Sequence, residues 1–352
     1  MAVIQPSTIP SRDAPAHADE QTPVARAVDA TLRRAVAARA SDIHIEPAGD
    51  GGGRVRFRVD GILRDAEAIA ATLYAPLTSR IKLLASLDIA NRRLPQDGRY
   101  SIVVDGRRID ARVSSIPTFD GEKLVIRLLD YQLALPCLDD LGMDAPTLAR
   151  YRTTAHAPWG FIVASGPTGS GKTTTLYASI AELDRSARNV CTVEDPIEGR
   201  LAGVSQVQVN PRAGLTFPTA LRSLVRQDPD VIMVGEMRDP ETAAVGVAAA
   251  LAGQTVFATV HSNDAARTLD RLVELGVDRH SLAAALTAVV AQRLVRRLCP
   301  CCRRAEAIPQ ALRPALASPS DCWFVAGGCA ECGATGYAGR TGVFELPTID
   351  DV

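Results

Sequence analysis

The sequence predicts an α/β protein: a mainly parallel sheet covered by helices on both faces, preceded by a small α+β domain and followed by a tetracysteine metal module. Three observations predict it. From Trp159 onward, short apolar runs rich in β-branched residues alternate with helix-period stretches. A glycine-rich phosphate-binding motif joins the first of those runs to the stretch after it. Residues 24–130 instead carry one helix-period stretch and then period-two stretches around two Asp-Gly turns.

Length and composition agree with this division. A chain of 352 residues has room for two domains, at roughly 100–200 residues each. An apolar content of 47% supplies their cores. The 39 basic and 40 acidic residues leave a net charge of −1, which gives no global electrostatic case for nucleic acid or an anionic membrane. No apolar run reaches the length of about 18 residues that a spanning helix needs. The amino terminus lacks the charged-then-apolar layout of a secretory signal. Met1 to Thr22, rich in Pro, Ala, Ser and charge, reads as a disordered leader.

The elements follow in order. Val24, Ala27, Val28, Leu32, Ala35 and Val36 recur at i, i+3/i+4 and predict one amphipathic helix ending near Ser41. Ile43 and Ile45 then alternate with His44 and Glu46, and Val55, Phe57 and Val59 with Arg54, Arg56 and Arg58. Asp60-Gly61 turns the chain into Ile62-Leu63; Asp105-Gly106 joins Ile102–Val104 to Ile109–Val113; Leu124–Leu129 closes the set. This gives an α+β domain over 23–130, with 131–157 as a linker carrying one short helix. Strands are expected at Phe161–Ala164, Val190–Val193, Val231–Val234 and Val256–Val260. Helices are expected at Thr173–Leu183, Pro240–Ala252, Ala265–Leu275 and Ser281–Leu298. The nucleotide-binding core is thus expected over 158–298, the metal module over 299–340 and a tail over 341–352.

The sharpest local signal is the run Gly166, Pro167, Thr168, Gly169, Ser170, Gly171, Lys172, Thr173, which fits G-x-x-x-x-G-K-[ST] between an apolar strand and a helix. Its glycines let backbone N–H groups converge on phosphate oxygens, and the helix start adds a favourable dipole. Lys172 is expected to reach the β- and γ-phosphates of ATP and Thr173 to ligate Mg²⁺, with Thr174 next in the helix. Val231–Val234 leads through Gly235 to Glu236, a carboxylate at a strand's carboxyl end, where ligands sit in open α/β sheets. Glu236 is a candidate to polarise the attacking water or to hold Mg²⁺ through water. Val190–Val193 delivers Glu194 and Asp195, with Glu198 close behind; these acids are either a solvated turn or a second metal or water site. His261 ends a further strand and is either structural or a γ-phosphate sensor. Arg222, Arg226 and Arg238 flank the Glu236 strand, while Arg112 and Arg127 lie on expected strands of the first domain. Cys299-x-x-Cys302 and Cys329-x-x-Cys332 offer four thiolates to one ion; structural Zn²⁺ is the reading, against free cysteines.

Taken together and in order, these motifs resemble the type II/IV secretion ATPases, the traffic ATPases of type II secretion and type IV pilus extension. The resemblance runs from about residue 30 to about residue 346. It begins with Ser41-Asp-Ile-His-Ile-Glu-Pro47, Arg58-Val-Asp-Gly61 and Arg93-Leu-Pro-Gln-Asp-Gly-Arg99. Arg112-Val-Ser and Gly121-Glu-Lys-Leu-Val-Ile-Arg127 follow. Glu194-Asp-Pro-Ile-Glu198 resembles the Asp box, Gly235-Glu-Met-Arg-Asp239 the atypical Walker B region and Thr259-Val-His-Ser-Asn263 the His box. Cys329 to Arg340 resembles the cysteine-motif tail.

The resemblance implies a RecA-like core preceded by a PAS-like domain. It implies a homohexamer with ATP at subunit interfaces, in which Arg112, Arg127, Arg222, Arg226, Arg238 and Arg340 are candidates for phosphate contact or subunit coupling. It also implies an inner-membrane platform protein as partner and a cytoplasmic location at the inner face of that membrane. The cysteine motif favours the secretion and pilus-extension branches over retraction motors. Three features depart from the family pattern. Gln254 follows Gly253 where the His box normally opens with Gly-His, the larger amino-terminal domain has no counterpart here, and the sequence stops at Val352 where relatives usually continue with helices. The expected function is an ATP-driven motor for pseudopilus or pilus assembly. A RecA-like nucleic-acid motor and a non-hydrolysing assembly subunit are the alternatives, and an ABC transport ATPase is disfavoured because no L-S-G-G-Q occurs.

Overall fold

A computed structural model of the chain describes residues 22–129, 136–311, 313–315 and 322–347. The expected leader up to residue 21 and residues 131–135 of the expected linker lie outside the described residues. The chain divides into two compact units, Met1–Gln132 and Leu133–Val352.

In the first unit, helix α1 (Pro23–Ala37) is entered through Thr22, whose hydroxyl accepts from the Ala25 N–H at 3.2 Å, and Pro23 takes the first helical position, where no donor is lost. Strands β1 (Asp42–Pro47), β2 (Gly53–Val59) and β3 (Ile62–Ile69) are followed by helix α2 (Ala71–Leu84), then by β4 (Gln96–Val104), β5 (Arg107–Thr118) and β6 (Gly121–Leu129). They form one antiparallel sheet in the order β3-β2-β1-β6-β5-β4. Both Asp-Gly turns have left-handed backbone at both residues, at Asp60 φ 51° and Gly61 φ 83°, and at Asp105 φ 50° and Gly106 φ 75°. That is the geometry a two-residue hairpin of matching twist requires. Val28, Leu32 and Ala35 of α1 and Leu77 and Ile81 of α2 share one core with Ile43, Ile45, Phe57, Ala111, Val113 and Ile126. Alternation along each strand then sends the residues between these to the opposite face. Helix α2 was not among the expected elements; it contains Pro76, a residue that disfavours a helix interior.

The second unit opens with α3 (Ala145–Ala155) and continues through β7 (Gly160–Ser165), α4 (Lys172–Glu182), β8 (Val190–Glu194), β9 (Ser205–Gln208), α5 (Phe217–Leu224), β10 (Val231–Val234), α6 (Pro240–Leu251), β11 (Thr255–Val260), α7 (Ala265–Glu274) and α8 (Arg279–Ala285). Strand β12 (Leu286–Leu298), the small pair β13 (Arg304–Ala307) and β14 (Cys322–Val325), and β15 (Tyr337–Glu345) complete it. The main sheet has the order β15-β12-β7-β11-β10-β8-β9, parallel except for β15 against β12. Every residue of β7, β8, β10 and β11 is buried, as expected for a sheet covered on both faces. Phe161, Val163, Ile232 and Val256 face one core with α6, while Ile162, Ala164, Met233 and Phe257 face another with Leu176 and Tyr177 of α4.

One expected element is corrected. Residues 281–298 are not one helix: α8 ends at Ala285 and the chain continues as β12. Ala283–Ala285, Leu286, Val289 and Val290 also recur at helical spacing, and the alanines favour a helix locally. Pairing with β7 on one side and β15 on the other overrides that preference, and β-branched Thr287, Val289, Val290 and Val295 suit the strand. Strands β9 and β15 and helix α5 were likewise absent from the sequence reading.

Candidate functional site

The phosphate loop lies between β7 and α4, at the carboxyl end of the parallel strands. Gly171 is the N-cap of α4 at φ 88°, ψ 16°, and Gly166 and Gly169 have φ 144° and 75°. A Cβ at Gly166 would stand 2.4 Å from the Gln292 carbonyl oxygen, so that position also needs glycine for space. Lys172 is 8% exposed, and its Nζ donates to the carbonyls of Gly166 at 2.8 Å and Pro167 at 3.1 Å. Burial lowers its pKa, partly offset by the charges of Glu236 and Glu198. Thr168 and Gly169 are exposed, Ser170 is buried, and Thr173 and Thr174 are half-buried on the first turn of α4.

Two adjacent strand ends add the expected acid and imidazole. Glu236 follows β10 and His261 follows β11, one strand nearer the loop. The Glu236 carboxylate accepts from Arg238 Nη2 at 2.6 Å, and its other oxygen lies 3.2 Å from His261 Nε2. Burial alone would raise the Glu236 pKa. The Arg238 hydrogen bond and the charges of Arg238, His261 and Lys172 outweigh it and hold the group ionised below the usual carboxylate range. The structure therefore brings Lys172, Glu236, His261 and Arg238 into one electrostatic cluster beside the loop.

Glu194 is placed differently. It is 1% exposed, accepts from Thr192 Oγ1 at 2.6 Å and Gln206 Nε2 at 3.1 Å, and takes a short hydrogen bond from the Tyr177 hydroxyl. The same hydroxyl accepts from the Glu198 N–H at 3.3 Å. Burial and then the Glu194 charge push the Tyr177 pKa far above its ordinary value, so it remains a donor. Glu194 thus ties the acidic loop to α4, and Glu198 is the loop acid whose charge acts on Lys172. Tyr177 and Gln206 were not foreseen. Tyr177 follows the motif on the same helix, while nothing in the sequence marks Gln206.

The remaining arginines are dispersed. Arg222 pairs with Glu241, Arg226 donates to the Arg222 carbonyl at 2.8 Å, and Arg340 is exposed opposite Arg296 on β15. In the first unit, cross-strand register sets Arg58, Asp42, Arg127, Arg112 and Arg99 in one row across β2, β1, β6, β5 and β4, on the face away from the helices. Arg127 donates to Asp42 at 3.1 Å.

The thiols of Cys299, Cys302, Cys329 and Cys332 all lie within 4.8 Å of one another. Sγ separations are 3.9 Å for 299–329, 3.8 Å for 302–332 and 3.7 Å for 329–332. A tetrahedron with Zn–S of about 2.3 Å has edges of about 3.8 Å, so the donor set fits Zn²⁺. The N–H groups of Cys329 and Gly336 donate to Cys332 Sγ at 3.3 and 3.1 Å, which favours the thiolate. Cys301 is exposed and outside the cluster. The first pair follows β12 directly and the second precedes β15, so the module sits on the end of that antiparallel ribbon.

A phosphate loop at the end of a parallel strand, with an acid and an imidazole on neighbouring strand ends, defines a P-loop ATPase. Residues 17–352 match the family described as Type II/IV secretion system protein, and the chain belongs to that family. It is 51% identical over 329 residues to type II secretion system protein HxcR of Pseudomonas aeruginosa, covering 94% of this chain and 67% of that protein. It is 45% identical over 344 residues to type II secretion system protein E of Klebsiella pneumoniae, covering 97% of this chain and 69% of that one. The ATPase DotB of Legionella pneumophila has the same fold at 23% identity, with a TM-score of 0.67 over 96% of this chain and 84% of DotB. Among the described residues no helix is long and apolar enough to cross a membrane.

Proposed function

We propose that this chain hydrolyses ATP as a hexameric motor for pseudopilus assembly in type II secretion, working against an inner-membrane platform protein from the cytoplasmic side. The observation that carries this reading is the cluster of Lys172, Glu236 and His261 around a phosphate loop, in a chain half identical to HxcR. Gly166 to Thr174 bind the phosphates. Glu236, kept ionised by Arg238 and His261, orients the attacking water and takes its proton. His261 reports the occupant of the site through its close approach to Glu236. Glu194 acts through Tyr177 by fixing the Asp-box loop that carries Glu198. Thr173 offers the hydroxyl oxygen that a hard cation takes. Mg²⁺, when bound, neutralises charge on the β- and γ-phosphates.

The first unit is read as the family's PAS-like domain over 23–130, joined by a linker over 131–157 to a RecA-like core over 158–298. Its arginine row presents Arg112 and Arg127 to the nucleotide of a neighbouring subunit, where guanidinium groups stabilise transferred-phosphoryl charge. The tetracysteine module over 299–340 holds one structural Zn²⁺. The deciding experiment is steady-state ATP turnover of the purified chain beside Lys172→Ala. Turnover that Lys172→Ala abolishes is the expected result. Undiminished turnover in a folded Lys172→Ala variant refutes the assignment.

A further inference from the structure

Strand β12 forms the back wall of the phosphate loop. The Gln292 carbonyl stands against Gly166, and Leu294 against Gly171. The Gln292 side chain turns into the loop itself. It is 3% exposed, and its Nε2 donates to the Ser170 carbonyl at 2.7 Å.

We propose that Gln292 is a positioning residue for the nucleotide's phosphates, an inference that rests on the phosphate-loop reading above. The Ser170–Gly171 peptide is planar, with its C=O and N–H on opposite edges. Holding the carbonyl toward β12 therefore aims the Gly171 N–H away from β12, into the concave face where phosphate oxygens are received. The constraint matters here because Gly171 populates φ of both signs with little penalty, so this peptide flips readily unless something pins it. A second observation supports a functional role. Gln292 Oε1 is buried with no hydrogen-bond partner among the described residues. An apolar side chain of similar shape would avoid that cost, so the amide is explained by the bond its nitrogen makes. Among the described residues the neighbouring Ser170 and Ser165 hydroxyls are also buried without partners, which leaves the Gln292 amide to set the orientation at Ser170.

The test uses the full chain, with ADP binding measured by calorimetry for wild type, Lys172→Ala, Gln292→Met and Gln292→Glu. Gln292→Met keeps the volume and removes the donor; its Kd for ADP should rise about tenfold, the effect of misaiming one good donor. In Gln292→Glu the neutral carboxyl donates to the Ser170 carbonyl and the ionised form repels it. Its affinity relative to wild type should therefore recover as pH falls from about 8 to about 5, a span that a buried carboxyl titrates. A filler residue would show no such recovery. Wild-type affinity in Gln292→Met, with binding lost in Lys172→Ala, overturns the inference and leaves the phosphate-loop reading standing. Unchanged binding in Lys172→Ala overturns that reading itself. If Gln292→Met does not fold, a flat pH profile for Gln292→Glu relative to wild type overturns the inference alone.

Discussion

Two glutamates at neighbouring strand ends, Glu194 and Glu236, should respond in opposite ways to the same Glu→Gln change. Glu194 is sealed from solvent and receives three donors, from Tyr177, Thr192 and Gln206. An amide placed there turns its NH₂ toward at least one of them. Thr192 and Gln206 donate to one carboxylate oxygen and Tyr177 to the other. The amide therefore keeps its oxygen for the first two and turns its NH₂ to the Tyr177 hydroxyl, which accepts it but loses the acceptor for its own proton. One buried donor is then unmatched and a charge-assisted bond is lost, at a cost of about 2 kcal/mol. For a unit of this size that lowers Tm by roughly 4–8 °C. Glu236 is half-buried, and its partners Arg238 and His261 are largely exposed, so water replaces what the amide cannot supply. Glu236→Gln should leave Tm nearly unchanged and reduce kcat by about 10²–10⁴, the range for removing a general base. ADP affinity should be retained, because the phosphate cradle is untouched. The assays are differential scanning calorimetry, calorimetric ADP binding and steady-state turnover on both variants. The reversed pattern refutes the reasoning: a thermally unaltered Glu194→Gln with a large kcat loss, and a fully active Glu236→Gln, would move the chemistry to Glu194.

Two further outcomes are expected. Metal analysis of the reduced protein should return one Zn²⁺ per chain, and Cys329→Ser should lose the metal and unfold the segment around Arg297–Arg340 while ATP turnover falls only through faulty assembly; a stoichiometry near zero under chelator-free conditions refutes it. Burial would raise the Glu46 pKa, but hydrogen bonds and charge from Arg56 and Lys123 hold it at about 2 against an ordinary 4.5. The folded value is thus depressed, and the stabilisation of roughly 2–3 kcal/mol present above about pH 4.5 should be lost as pH falls toward about 2. Glu46→Gln should flatten that acid limb in circular-dichroism titrations, and an unchanged limb would show that the ion pairs contribute nothing.

The elements most legible in the sequence were those whose signals are local. The loop Gly166–Thr173 needs glycine at defined backbone positions, a lysine and a helix start, all within eight residues. Each Asp-Gly turn needs two left-handed residues in succession. The buried strands at Phe161, Val190, Val231 and Val256 announce themselves as apolar runs because both of their faces are covered. The two C-x-x-C pairs carry their own ligand geometry.

What only the tertiary structure decided depends on partners distant in the chain. Residues 286–298 became a strand because β7 and β15 flank them, although their alanines and spacing also suit a helix. Glu194 and Glu236 look alike as acids ending apolar strands. Gln206, twelve residues beyond Glu194, closes over the first, while Arg238 and His261 leave the second partly open to solvent. Gln292 reaches Ser170 across 122 residues of sequence. No periodicity or motif encodes such contacts, because burial and hydrogen bonding between remote segments exist only once the sheet order is set. The sequence by itself determined which groups were available for phosphate and metal; the order of the strands decided which of them meet.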